Sequence, residues 1–209
     1  MSVNKYSKED INKAIPEVWL KLSDYLGLGL TWSQFLKDCK NRFKNFKGFK
    51  LIKTKYPPCW YAGFKGDKDS SYVYMAYHPE VRVYFQHHIC HELVHLFRET
   101  VHQNKFKQVS LVSHLLDEAL SDVIPTKITG KMENKLKKTG LYNLIDVCAL
   151  EQMIYDMDDK EIRKIALMPR TEKELKELTF LVLKMISTKN YKNNIRKIWK
   201  TKIKEKVYY

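Results

Sequence analysis

The stretch His87-His88-Ile89-Cys90-His91-Glu92-Leu93-Val94-His95-Leu96-Phe97 holds the residues best suited to chemistry. Within it, His91-Glu92-Leu93-Val94-His95 matches H-E-x-x-H. On a helix, residues four apart lie on one face, so His91 and His95 can share one metal ion. Glu92 stands beside them and can reach a water on that ion without ligating the ion itself, the place of a general base. Leu93, Val94, Leu96 and Phe97 fit a largely buried helix that holds both imidazoles rigidly. The alternative is a core helix that happens to carry histidines.

Two histidines do not complete a catalytic zinc site; a third protein ligand is needed, leaving the fourth position for water. The best-placed supplier is Leu115-Leu-Asp-Glu-Ala-Leu-Ser-Asp122. Glu118 and Asp122 are four apart and share a helix face. Glu118 can ligate while Asp122 accepts a hydrogen bond from the free ring nitrogen of a ligating histidine and fixes its tautomer. The alternative is an ordinary exposed acidic helix face. A metzincin extension would need Gly at 98 and His at 101, where this chain has Arg98 and Val101. His102 is the rival third ligand.

H-E-x-x-H followed by Glu118 and Asp122 resembles the gluzincins, the thermolysin-like zinc peptidases. Asp117-Glu-Ala-Leu-Ser-Asp122 is close to the N-E-A-I-S-D of thermolysin at this point. The resemblance covers about residues 84–125. It implies a Zn2+ ion held by His91, His95 and Glu118, Asp122 as the partner of His91, Glu92 as general base, and hydrolysis of peptide bonds. Thermolysin-like enzymes also use a downstream histidine at the oxyanion, and no histidine follows His114 here. That role would fall to a tyrosine, an arginine or a backbone amide, with Tyr155 and Tyr142 as candidates. Small relatives of the ImmA/IrrE type suggest by analogy that a compact peptidase is feasible. His102 with Phe106 faintly resembles SprT-like DNA-associated proteases, whose third ligand is a histidine, although the spacing from His95 is short for them.

The elements that must position these residues follow from caps and periodicity. Ser7 with Asp10, and Thr31 with Gln34, are capping-box signatures that open helices over about 7–25 and 31–48. Pro16 predicts a kink or restart, and Gly27 and Gly29 end the first helix. Aromatic and β-branched runs over 51–56, 60–64 and 72–77 predict strands, with 81–83 as one more short strand or the lead into the next helix. Helices are expected over 83–101 and 110–124, the latter stopped by Pro125, then over 142–155, 171–185 and 191–206. The plan is α+β: N-terminal helices, a small sheet with an edge strand beside a cleft, the H-E-x-x-H helix and a C-terminal helical lobe. It reads as one zincin-like domain over 1–209, with 84–125 as the zinc-site core and 141–209 as the lobe. The resemblance further implies that an extended substrate pairs with the sheet edge near Val73 to Tyr77.

Hydrophobic residues at 44% and aromatics at 12% argue for a folded chain. No window reaches the apolar length of a membrane span, the N-terminal residues carry no apolar secretion signal, and Cys39, Cys59, Cys90 and Cys148 form no C-x-x-C pair. A cytoplasmic chain with buried thiols is the resulting expectation. The net charge of +14 gathers in 37–55 and in the C-terminal tail over 189–206. It suits an anionic partner, nucleic acid or acidic protein. Basic runs interleaved with Phe43, Phe46, Phe49, Tyr191 and Trp199 keep open a nucleic-acid-binding protein whose H-E-x-x-H is structural. A peptidase fold that binds peptides without cutting them is the third reading.

Overall fold

The structure, a computed structural model, describes residues 4–54, 60–66, 70–78, 80–81, 85–101, 111–130, 151 and 154–167. His102, Tyr142, Cys59, Cys148 and the helices expected over 171–185 and 191–206 lie outside the described residues, as does most of the expected 142–155 helix. The chain divides into two compact units, residues 1–103 with 124–131, and residues 104–123 with 132–209. The architecture is α+β. None of the described helices is long and apolar enough to cross a membrane.

In the first unit, helix α1 (Lys8–Leu26) opens on a complete capping box. Asp10 N donates to Ser7 Oγ at 3.1 Å, and Ser7 N donates back to Asp10 Oδ2 at 2.8 Å. Gly27 closes the helix at φ 72°, the left-handed conformation that a Cβ disfavours. Pro16 does not restart the helix. Its ring removes a bond to the carbonyl of Asn12, and both residues are exposed, so water can satisfy that carbonyl. Helix α2 (Trp32–Arg42) opens on the Thr31–Gln34 box but stops short of the expected 48, because β2 (Phe46–Lys53) already begins there.

Strands β2, β3 (Tyr61–Gly66) and β4 (Ser71–Tyr77) form a sheet of order β2-β4-β3, with β3 antiparallel and β2 parallel to β4. This corrects the expected substrate edge. Residues 73–76 of the central strand are paired on both sides and offer no free edge; among the described residues β3 and β2 are the edges. The two-residue strands β1 (Asn4–Lys5) and β5 (Glu80–Val81) pair antiparallel.

Trp19 centres the core. It is fully buried, its ring lies 4.2 Å from that of Phe35 and 6.2 Å from that of Phe97, and its Nε1 donates to Leu30 O at 2.9 Å. An aromatic body with its one polar atom satisfied is what a tightly packed interior requires of tryptophan. Phe97 belongs to helix α3 (Phe85–Val101), so the packing of α1 carries directly to the motif helix.

Helix α4 (Leu111–Thr129) runs through Pro125, against the expected stop, and ends at Gly130 with φ 65°. A proline inside a helix removes one backbone bond, yet the last turn is secured by Gly130 N donating to Thr126 O at 2.9 Å and Thr129 Oγ1 donating to Pro125 O at 2.8 Å. Helix α5 (Asp159–Leu167), absent from the sequence-based plan, buries Ile162, Ile165 and Ala166. Its start was legible: Glu161 N donates to Asp158 Oδ1 at 2.8 Å, the bond expected of an Asp N-cap.

Candidate metal centre

Three contacts fix α3 in place. At its start Trp60 packs its ring 6.4 Å from Phe85 and 5.8 Å from His88. At its end Arg42 Nη2 donates to Thr100 O at 3.0 Å, a cation at the carbonyl end of a helix. Beside it Glu99 Oε2 accepts from the backbone N–H of Phe64 on β3 at 2.9 Å. Ile89, Cys90, Leu93, Val94, Leu96 and Phe97 are buried, so the helix cannot roll without breaking the core.

That rigidity aims the histidines. Nε2 of His91 and Nε2 of His95 lie 3.1 Å apart, with the rings at 71°. Two nitrogens each about 2.0–2.1 Å from one tetrahedrally held ion would stand about 3.3 Å apart, so the pair is spaced to share a metal. Because both rings converge through Nε2, each Nδ1 faces away and is left for a carboxylate or carbonyl partner.

On α4, every residue from Leu116 to Thr126 is buried except Glu118 and Asp122. The one open face of that stretch is therefore its carboxylate face, the i, i+4 pair expected from spacing. One ligand atom each from His91, His95 and Glu118 all lie within 4.8 Å of one another, a group that could hold a metal ion. Two imidazoles and a carboxylate are the ligand set of a three-ligand, open zinc site. Glu92 adjoins the group in sequence, outside it, and is 4% exposed. A carboxylate so enclosed is shielded from bulk water and suited to handling one proton at a fixed place. Asp122 stands one turn beyond Glu118 on the same open face.

Tyr155 is 37% exposed and stands outside the three-residue group. Spacing had more to offer on α3 itself. Arg98, three residues past His95 and seven past His91, shares the ligand-bearing face, is 2% exposed, and has its pKa lowered by burial to about 10. It keeps its charge at neutral pH and places a cation one turn past His95 and two past His91, a feature the sequence reading passed over although the helical spacing was there.

Compared with known proteins, the chain matches no family model, and no curated protein or solved structure matches it. Function must therefore be argued from the residues themselves.

Proposed function

We propose that the chain is a zinc-dependent, gluzincin-like peptidase in which His91, His95 and Glu118 hold the ion and Glu92 is the general base. The observation that carries this reading is the convergence of two histidine Nε2 atoms and a Glu118 oxygen beside a buried Glu92. Bound there, zinc would lower the pKa of a coordinated water towards neutrality and polarise a peptide carbonyl.

The chain's own residues supply the rest. Glu92 takes a proton from the attacking water and passes it to the leaving amine. Asp122 accepts from Nδ1 of His91 and holds the ring so that Nε2 keeps its aim. An extended peptide adds to β3, the edge strand that runs along α3. Arg98 joins Tyr155 as a candidate for stabilising the oxyanion, and its place on the ligand face favours it.

The test is Glu92→Gln in the full chain, with cleavage of an unfolded protein substrate and bound metal both measured. Metal content is expected to stay while cleavage falls by roughly 10²–10⁴. Undiminished cleavage would overturn the mechanism.

A further inference from the structure

The three-stranded sheet has a second face. Cross-strand partners point to the same side, and successive residues along a strand alternate sides. Val73, Met75 and Tyr77 are buried in the core, which turns the half-buried Tyr72 and Tyr74 to the opposite side, with Ala76 following in the alternation though itself fully buried. The register sets Lys65 beside Tyr72, Lys50 and Gly63 on either side of Tyr74, and Ile52 and Tyr61 on either side of Ala76. Lys50 and Lys65 are exposed, Ile52 is 40% exposed and Tyr61 is 46% exposed.

Three tyrosine rings run diagonally across this face. Tyr72 and Tyr74 lie 6.2 Å apart, Tyr74 and Tyr61 5.9 Å, each pair meeting edge to face. Lys50 Nζ rests 3.8 Å over the Tyr72 ring. The aromatic residues singled out in the basic run are spent elsewhere: Phe43 packs 4.5 Å from Phe64, and Phe49 5.3 Å from Trp32.

We propose that this face binds single-stranded nucleic acid, with Tyr61, Tyr72 and Tyr74 as a stacking surface for bases and Lys50 and Lys65 on the phosphates. Charge complementarity commits it to a polyanion, since the chain carries +14 and the exposed Lys50 and Lys65 stand among the rings on this face. The rings decide which polyanion. Every base presents a π-face to an aromatic side chain, whereas an acidic peptide has nothing to stack and a duplex keeps its bases inside. A base arriving on Tyr72 takes the place of the Lys50 ammonium, an exposed cation–π contact weaker than base stacking, and frees that lysine for the backbone. Glu99 puts the face's negative point beside Gly63, so the phosphates gather at the Tyr72 end, between Lys50 and Lys65.

The test needs no metal and is run in chelator, which separates it from the fate of the peptidase reading. Binding of a fluorescent oligothymidine of about 20 nucleotides to the full chain is followed by anisotropy across a salt series. Affinity is expected to exceed that for a duplex of equal length. Tyr61→Ala/Tyr72→Ala should weaken binding about tenfold with the salt slope kept. Lys50→Gln/Lys65→Gln should flatten the slope by about 1.4. Thermal melts check folding, and the exposed lysine pair carries the test should the tyrosine variant unfold. Equal or tighter duplex binding, wild-type behaviour of the folded variants, or displacement by polyglutamate as effective as by unlabelled oligothymidine would each overturn the proposal.

Discussion

Nε2 of His91 faces Nε2 of His95 across one turn of α3 at 3.1 Å. Two imidazole nitrogens held this close by a buried helix are poor neighbours unless a proton or a metal ion sits between them. The helix that carries them is held in place, because Ile89, Leu93 and Leu96 are fully buried. The core would therefore aim both rings before an ion arrived, which would lower the ordering cost of binding one.

Asp122→Asn tests the outer support of that pair. If Asp122 fixes the His91 ring, the amide should lower metal affinity by about 10–100-fold without unfolding the chain, read by competition with a chromophoric chelator. An unchanged affinity would remove Asp122 from the site and leave it as part of the open face of α4.

Gly63 is glycine because of Glu99. A Cβ at Gly63 would collide with Glu99 Oε2 and come within 3.3 Å of the Tyr74 hydroxyl. Glu99 can swing aside, but only by giving up the N–H of Phe64. Gly63→Ala should therefore cost about 1 kcal/mol, the worth of that hydrogen bond, and close to nothing in a Glu99→Ala background. Denaturant unfolding of the four proteins of this cycle measures the coupling; additive effects would contradict it.

The cap of α1 predicts a pH dependence. The Ser7 backbone N–H and hydroxyl hold the Asp10 carboxyl below its ordinary value of 3.8. A folded pKa below the unfolded one means a contribution fully present above about pH 4 and lost as pH falls through the lowered value. Asp10→Asn should then melt below wild type at neutral pH and converge with it in acid. Parallel melting curves at every pH would contradict the capping account.

The candidate site was legible in the sequence to the extent that helical spacing alone defines it. His91, Glu92, His95, Glu118 and Asp122 sit four apart or adjacent on two helices, and i, i+4 geometry needs no tertiary information. Both capping boxes were legible for the same reason, since Ser7–Asp10 and Thr31–Gln34 close within one turn. What spacing could not reveal was strand order. The edge role of residues 73–77 came from the family resemblance, and the pairing of β2 with β4, between residues about 24 apart, makes them central. Pro125 misled because the rule against proline is a local one. A well-bonded last turn lets α4 continue past it, and α1 runs on through the exposed Pro16 without a restart. Arg98 shows the converse: its i+7 spacing was visible, but burial at 2% is what sets it apart from an ordinary surface arginine.

The most direct measurement is the zinc content of the purified full chain, wild type against Glu118→Ala, by mass spectrometry after exhaustive dialysis. The account predicts about one ion per chain in the wild type and its loss in the variant, with the fold retained by circular dichroism. A wild type without metal, or a Glu118→Ala protein that keeps a full complement, would contradict it.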